Sequence, residues 1–433
     1  MKKLLLSLAA LTLINSCSSN TNIANNVILD NQDISALSKT DNLNNQVSLL
    51  VDGEEIFNEI FSVIDNAKKK VYVSTYLFGE SVGQKIAEKL LAKKNQGLEI
   101  QFVAEGTMGS IPELTQAAKK VYQYMIDNGL EVRIFPVDLM PKGPTFLSNK
   151  KMINHSKLVI ADDSVAIVGG MNFKDSELVN HDYMLKISGP KVKEISQMTD
   201  MDWQKSRKMS IKSTDTTTLG AKSNDIEFSQ TGFNQQNIDE MILKYINQAQ
   251  NSIDIEMLLI DHQEVVKALA DAKKRGVNIR IIVDQADLAK YNKLLEKLPI
   301  EGMANFGACL TLTDAGIPVK WFVPKTKDQV LHAKTILIDK KVFLTGSANL
   351  TYHALTRNHE VFLAVTDPKV IERFSQIFES DWASRGRDVE LTRIQRALGK
   401  LFQKFGKWVY TKTEDQFLND VPEARNLVRQ RDY

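Results

Sequence analysis

The sequence contains almost no cysteine. Only Cys17 and Cys309 occur in 433 residues, so no disulfide framework is expected, and the ligand spacing of a Cys/His zinc site is absent. The glycine-rich fingerprints of P-loop and dinucleotide-binding proteins are also missing, as is the G-x-S-x-G turn of serine hydrolases. These absences remove three common classes of site from consideration.

An excess of charge of either sign is absent as well. Lysine plus arginine total 55 and aspartate plus glutamate total 53, which gives a formal net charge of +2. This near balance argues neither for nor against a polyanionic partner. Hydrophobic residues make up 43% of the chain, enough to build the cores of two or three domains at this length.

The N-terminal apolar run is too short to span a bilayer. Met1-Lys2-Lys3 precedes about eleven apolar residues that end at Ile14, a pattern typical of a signal peptide. Ile14-Asn15-Ser16-Cys17 resembles a bacterial lipobox, which implies cleavage before Cys17 and lipidation of its thiol. The predicted location is the bacterial cell envelope, with a lipid anchor on the periplasmic face of the outer membrane if two membranes are present. An ordinary signal peptide with an incidental cysteine is the alternative.

One motif occurs twice. The two copies are His155, Lys157, Asp162 and Asn172, and His332, Lys334, Asp339 and Asn349. Histidine and asparagine are seventeen residues apart in both copies, from 155 to 172 and from 332 to 349, which chance does not readily produce. Apolar runs around the motifs predict buried strands, on which histidine and lysine project from the same face. An imidazole, an ammonium and an amide that converge in this way suit a phosphate group.

The motifs belong to a longer internal repeat. In each copy a helix, a strand, a second helix and a second strand precede the motif, and Gly97 and Gly276 are placed to end the second helix. Each copy closes with a helix that ends near a tryptophan, Trp203 or Trp382. This alternation predicts two α/β lobes, each with a mixed sheet flanked by helices.

The predicted organisation has six parts. They are a lipoprotein signal peptide (1–16), a flexible tether (17–47), a first lobe (48–207), a linker (208–228), a second lobe (229–385) and a basic amphipathic C-terminal tail (386–433). The tail has apolar residues at helical spacing from Leu391 to Trp408, with basic residues between them. Such a helix either lies on an anionic membrane or docks on the second lobe.

These motifs resemble the duplicated H-x-K-x(4)-D signature of the phospholipase D superfamily, including its G-[SG]-x-N extension. The resemblance implies two lobes related by a pseudo-twofold axis, with one active site at their interface. It implies phosphodiester chemistry through a phosphohistidine, without a metal or another cofactor. By the same resemblance, His155 is the nucleophile and His332 is the acid. The groups that neutralise and hold the phosphate are Lys157, Lys334, Asn172 and Asn349.

Two further acids follow from the resemblance. Asp182 in VNHDYML and Glu360 in RNHEVFL lie 27 and 28 residues after the motif histidines, where the family places the acid that holds a catalytic histidine. His181 and His359 directly precede these acids, so on a strand they point to the opposite face and are predicted to be structural. The remaining motif acids, predicted to fix the turn beyond each strand, are Asp162 and Asp339.

The predicted function is a phospholipase D-type phosphodiesterase that hydrolyses or transfers the phosphatidyl group of phospholipids. The first half resembles cardiolipin synthases, and the second half resembles the endonuclease-type branch of the superfamily. A cardiolipin synthase-type phosphatidyltransferase and a metal-independent endonuclease are therefore the alternatives. The expected partners are a phospholipid at a membrane surface and an alcohol acceptor, with nucleic acid the less favoured substrate. A monomer is expected, because both motifs lie in one chain.

Overall fold

The structure is a computed structural model. It describes residues 45–105, 112–135, 153–206, 225–232, 235–236, 238–285, 305–356 and 358–401. Cys17, the predicted signal peptide and most of the predicted tether and linker lie outside these ranges. Within them, no helix has both the length and the apolar character needed to cross a membrane.

The first lobe is a seven-stranded mixed sheet with helices. In chain order its elements are β1 (Gln46–Val51), α1 (Asp52–Asn66), β2 (Lys70–Thr75), α2 (Glu80–Asn95), β3 (Glu99–Ala104), α3 (Pro112–Asp127), β4 (Val132–Ile134), β5 (Leu158–Ala161), β6 (Val165–Gly169), β7 (Tyr183–Ser188) and α4 (Lys191–Lys205). The strand order is β1-β7-β6-β5-β2-β3-β4. Strands β2, β3 and β4 are parallel, and the other neighbours pair antiparallel.

The second lobe repeats this plan in a nine-stranded sheet. Its elements are β8 (Ile226–Gly232), β9 (Gln235–Gln236), α5 (Ile238–Gln248), β10 (Ser252–Met257), α6 (Gln263–Lys274), β11 (Asn278–Val283), α7 (Phe306–Asp314), β12 (Val319–Phe322), β13 (Lys334–Ile338), β14 (Val342–Gly346), α8 (Tyr352–Thr356), β15 (Glu360–Val365), α9 (Pro368–Ser384) and β16 (Gly386–Asp388). The order is β16-β12-β11-β10-β13-β14-β15-β8-β9. From β8 to β12 it matches β1 to β4 of the first sheet strand for strand.

Local sequence accounts for the matching helix ends. Gly97 and Gly276 have φ values of +89° and +95°, a left-handed conformation that glycine adopts without steric cost. The amide of Gly97 donates to the carbonyl of Lys94 at 2.8 Å, and that of Gly276 to the carbonyl of Lys273 at 3.0 Å. Each glycine thus ends its helix and turns the chain into the next strand, as the repeat predicts.

One buried hydrophobic cluster joins the two lobes, in addition to a cluster within each lobe. Leu185 and Tyr183 of β7 belong to the same buried cluster as Phe343 of β14 and Leu363 of β15. The ring of Phe374 in α9 lies 5.5 Å from that of Tyr183 and 4.7 Å from that of Phe343. The predicted fold class, two similar α/β lobes with mixed sheets, is therefore confirmed.

The second sheet extends past both ends of the predicted second lobe. Strand β8 begins before residue 229, and β16 lies beyond residue 385 and pairs with β12. Residues 393–401 then form a helix against α7, where a side chain added at Gly399 would lie 3.2 Å from the carbonyl oxygen of Phe306. Arg396 also forms an ion pair with Asp314 at 3.0 Å. The described part of the C-terminal tail therefore docks on the second lobe.

Candidate active site

The two motif histidines lie where the lobes exchange backbone hydrogen bonds. The amide of His155 donates to the carbonyl of His359, and the amide of His332 donates to the carbonyl of His181, both at 2.8 Å. Return bonds run from His359 to Ile153 and from His181 to Val330, both at 2.9 Å. Each motif segment is therefore tied to the segment that enters β7 or β15 of the opposite lobe.

The orienting acids are exchanged between the lobes as well. Nδ1 of His155 lies 3.1 Å from a carboxylate oxygen of Glu360, and Nδ1 of His332 lies 2.6 Å from one of Asp182. Both acids are fully buried. Each lobe thus supplies the acid for the histidine of the other lobe. The spacing along the chain, 27 residues from His155 to Asp182 and 28 from His332 to Glu360, does not reveal this arrangement.

The hydrogen-bond partners fix the tautomer of His155. Its Nδ1 faces the Glu360 carboxylate and also the carbonyl oxygen of Ser347, at 3.2 Å. A carbonyl oxygen can only accept, so Nδ1 carries the hydrogen and Nε2 of the neutral ring keeps a free lone pair. Burial lowers the pKa of His155, and the nearby Lys157 and Lys334 lower it further, although Glu360 opposes this.

The Asp182–His332 pair is different. Burial raises the pKa of Asp182 to about 7, although Lys334 and Lys157 act against the rise. Burial, reinforced by Lys334, lowers the pKa of His332 well below its usual value. Both shifts have one cause, since a buried site disfavours a separated pair of charges. Near neutral pH this pair can therefore hold its proton on Asp182, with the imidazole uncharged.

The two lysines are buried beside the histidines. Nζ of Lys157 donates to the carbonyl oxygen of His155 at 2.5 Å, and Nζ of Lys334 donates to that of His332. An ammonium has three donors, so each contact uses one and leaves others for an anion. Burial, with repulsion from Lys334, lowers the pKa of Lys157 to about 7. Burial therefore weakens the hold of Lys157 on its positive charge.

The two asparagines follow the strands that return to the site, β6 and β14. The Oδ1 atoms of Asn172 and Asn349 are buried and have no hydrogen-bond partner among the described residues. Nδ2 of Asn172 donates to Glu177 at 3.2 Å, and the second carboxylate oxygen of Glu177 lies 3.8 Å from Nδ1 of His332. Sequence reasoning missed Glu177, which lies in a 3-10 turn, Asp175–Val179.

The other motif acids lie away from this cluster. Asp162 accepts the amides of Lys68, Lys69 and Lys70 at 2.7 to 3.0 Å. Asp339 accepts those of residues 250–252 in the same way, at 2.7 to 2.9 Å. Each acid holds the connection from the first helix of its lobe to the following strand.

Tyr76 is a further neighbour that the sequence analysis did not single out. Its ring centroid lies 4.7 Å from that of His155, and Nζ of Lys157 lies 5.2 Å from the ring. Burial, with the negative charge of Glu105 and Glu360, raises the pKa of Tyr76 to about 12. Tyr76 follows β2 within a stretch, TYLFGESVG, whose repeat partner has Leu258 at this position. Comparison of the two copies could therefore have marked it as an asymmetric position.

Known proteins are similar to this chain in sequence and in fold. A cardiolipin synthase from Oceanobacillus iheyensis is 26% identical over 376 residues, which cover 83% of this chain and 74% of the relative. Cardiolipin synthase 1 from Staphylococcus epidermidis is 24% identical and covers 78% of this chain and 68% of itself. Phosphatidylserine synthase from Haemophilus influenzae has a similar fold, with a TM-score of 0.63 at 14% identity over 89% of this chain and all of that chain. The two cardiolipin synthases support a phosphatidyltransferase that uses phospholipid substrates.

The comparisons correct the predicted location. A lipid-anchored protein of the outer membrane was expected, but the relatives that match most of the chain are cardiolipin synthases. These are typically inner-membrane enzymes and not outer-membrane lipoproteins, so that prediction is wrong. The four-residue lipobox pattern is too short to outweigh similarity over hundreds of residues.

A family model covers both lobes. The model described as "Cardiolipin synthase, PLD-like domain" matches residues 60–203 and again residues 242–382, so that each match contains one motif and the acid that serves the motif of the other lobe. Together the two matches span well over half of the chain. The chain therefore belongs to the phospholipase D-like domain family of the cardiolipin synthases.

Proposed function

We propose that this protein is a phosphatidyltransferase of the cardiolipin synthase type, which moves a phosphatidyl group from one phospholipid to the hydroxyl group of an alcohol. The observation that carries the proposal is the exchanged pair of half-sites, which brings two histidines and two buried lysines to the lobe interface. Cardiolipin synthases that match over most of the chain support phospholipids as the substrates.

The first step is attack on the donor phosphate. Nε2 of His155 has a free lone pair, because Nδ1 donates to Glu360, and it forms a bond to phosphorus. The bond from phosphorus to the leaving glycerol oxygen breaks, and Nε2 of His332 gives its proton to that oxygen. Lys157, Lys334 and the motif asparagines stabilise the charge that develops on the phosphoryl oxygens.

Asp182 lets His332 act as an acid without carrying a positive charge in the resting site. A protonated Asp182 can donate to Nδ1 across the 2.6 Å contact, which places the hydrogen of the neutral ring on Nε2. When Nε2 gives up that hydrogen, the proton of Asp182 moves to Nδ1. His155, with its ring hydrogen on Nδ1, and His332, with its ring hydrogen on Nε2, thus suit the roles of nucleophile and acid.

The second step reverses the proton movements. The acceptor hydroxyl attacks the phosphohistidine, His332 takes its proton, and the bond between phosphorus and Nε2 of His155 breaks. Cardiolipin contains two phosphatidyl groups joined through one glycerol, so phosphatidylglycerol can serve as both donor and acceptor. Water in place of the alcohol would give hydrolysis to phosphatidic acid.

Product analysis tests this proposal. Vesicles of phosphatidylglycerol should yield cardiolipin and glycerol, and added ethanol should divert the product to phosphatidylethanol. Asp314→Asn, which changes only a surface ion pair, serves as the control variant and should match the wild type. Phosphatidic acid as the sole product at molar ethanol would identify a hydrolase. Cleavage of single-stranded DNA without turnover of any phospholipid would identify a nuclease.

A further inference from the structure

Two buried histidines take no part in the proposed reaction. His181 and His359 each precede an orienting acid by one residue and are only 3% and 1% exposed. Because successive side chains of an extended segment point to opposite sides, they lie away from the reacting groups. Both make ion pairs across the contact between the lobes.

His181 is surrounded by acids from both lobes. Its Nδ1 lies 2.7 Å from Asp52 of α1 in its own lobe. Its Nε2 lies 3.0 Å from Asp381 of α9 and 3.6 Å from Glu256 of β10, both in the second lobe. The hydroxyl of Tyr183 lies 2.8 Å from the same nitrogen and donates to Glu256 at 2.7 Å. We call His181 with these three acids the first clamp.

His359 makes the pseudo-twofold counterpart, the second clamp. Its Nε2 lies 2.9 Å from Asp202 of α4 in the first lobe, and its Nδ1 lies 3.1 Å from the carbonyl oxygen of Thr231. A carbonyl oxygen can only accept a hydrogen bond, so Nδ1 of His359 is a donor, and the carboxylate at Nε2 suits a second donor. These acceptors match a protonated His359, and the carboxylates around His181 match a protonated ring in the same way.

Each clamp is joined directly to one catalytic half-site. The carbonyl of His181 accepts the amide of His332, and the next side chain, Asp182, holds Nδ1 of the same histidine. The carbonyl of His359 accepts the amide of His155, and the next side chain, Glu360, holds its Nδ1. The position of each clamp histidine therefore sets the distance between an acid and the imidazole it orients.

We propose that His181 and His359 are positioning residues, protonated clamps that hold each orienting acid of one lobe against the catalytic histidine of the other. The inference rests on the proposed function, since it takes His155 and His332 as the reacting groups. The effect of each clamp should appear in kcat more than in KM, because neither clamp touches the lysines that bind the phosphate.

The pKa values of His181 and His359 are both raised, which agrees with a positive charge on each ring. Burial acts to lower the pKa of His181, but the nearby carboxylates of Asp381, Asp52 and Glu256 outweigh it and raise the pKa well above its usual value. Arg385, 3.8 Å from Asp381, is the cation that faces this group. Burial also acts to lower the pKa of His359, but the nearby Asp202 and Glu360 outweigh it, so this pKa is raised as well. The stabilisation that the protonated clamps give to the fold is therefore complete below pH about 6.5. It is lost as the pH rises through the raised pKa values of the two histidines.

Histidine-selective NMR on the full chain tests the charge directly, without reference to activity. Two imidazolium signals should persist at pH 7.5, one absent in His181→Gln and the other in His359→Gln. His262→Gln, the control, removes a histidine from within the second lobe and should leave both signals in place. If the signals assigned to His181 and His359 are those of neutral rings at pH 7, the clamp proposal is overturned.

Kinetics test the positioning role. His181→Gln and His359→Gln should each lower kcat about 10- to 100-fold with little change in KM, because small displacements of reacting groups are costly. Asp381→Asn and Asp202→Asn remove the carboxylate that faces each clamp histidine. Because the histidine then loses its proton more easily, the alkaline limb of the pH–rate profile should move to lower pH. They also serve as the test if the histidine variants do not fold. Unchanged kcat and pH profile in the variants that fold would overturn the proposal.

A bound metal is the rival explanation of the first clamp. Ligand atoms of His181, Glu256 and Asp381 lie within 4.8 Å of one another, which a divalent ion could bridge. One equivalent of metal in the purified protein, with chelation reproducing the effect of His181→Gln, would therefore overturn the clamp. Imidazolium signals in a protein that turns over no phospholipid would instead reject the proposed function and leave the charged clamps standing.

Discussion

Replacing Glu360 by glutamine tests the exchanged geometry most directly. The substitution keeps the size of the side chain but removes the charge of a buried group that accepts from Nδ1 of His155 at 3.1 Å and from the hydroxyl of Ser347 at 2.5 Å. A hydrogen bond to a charged group contributes about 1.5–3 kcal/mol, which corresponds to a loss of about 10- to 150-fold in rate.

The contacts suggest how the glutamine would sit. Nδ1 of His155 and the hydroxyl of Ser347 both donate to the same oxygen of Glu360. The amide oxygen of Gln in that position accepts both hydrogen bonds, whereas its amino group could accept neither. The tautomer of His155 is then kept, and what is lost is the negative charge beside the ring as it becomes positive during attack on phosphorus. We therefore expect formation of the phosphohistidine to slow by about 10- to 150-fold.

The assay is a single turnover with excess enzyme, quenched in base and analysed for phosphate on the peptide that contains His155. Ser347→Gly is the matched control, because it copies Gly170 of the first lobe and removes the hydroxyl that donates to Glu360 and accepts from the amide of Val361, while the Glu360 carboxylate remains. It should slow the step less than about tenfold. A Glu360→Gln rate close to that of the wild type, or an NMR change at His332 in place of His155, would refute the exchanged pairing.

Three further results are expected. His155→Ala and His332→Ala should each lower turnover by at least about 1,000-fold with an unchanged melting temperature, and substantial activity in either would refute a shared site. Excess EDTA should leave the rate unchanged, because Lys157 and Lys334 supply the positive charge, whereas a loss restored by one divalent ion would contradict this. Binding of a phosphodiester analogue should take up protons, because an arriving anion raises the pKa values of Lys157 and Asp182, which are each about 7. Affinity should then rise from pH 8 to pH 6, and calorimetry in buffers of different ionisation enthalpy that detects no uptake would contradict this charge balance.

The sequence was sufficient for the parts of the fold that repeat. Two motif copies with equal spacing, and helix ends at Gly97 and Gly276, fixed the strands and helices of both lobes in register. The exchange of Asp182 and Glu360 could not be predicted, because a distance along the chain does not say which lobe an acid faces. Asp202 and Asp381 carried a visible signal, since each directly precedes the tryptophan that closes its repeat, but their contacts depend on how the lobes pack.

The two half-sites are alike in plan and different in chemistry, and the difference begins with one residue. A Cβ at Gly170 would lie 2.5 Å from Asp182, so the first lobe has room for this acid only with glycine there. The second lobe has Ser347 at that place, and its hydroxyl donates to Glu360. Each acid is therefore fitted to a neighbour in its own lobe but orients the histidine of the other lobe. Exchanging Asp182 and Glu360 alone would break both fits, because Gly170 offers no hydroxyl to a glutamate and Ser347 would crowd an aspartate held as Asp182 is. The two copies of one motif thus give their histidines different acids and different hydrogen-bond neighbours, which suits His155 to act as the nucleophile and His332 as the acid.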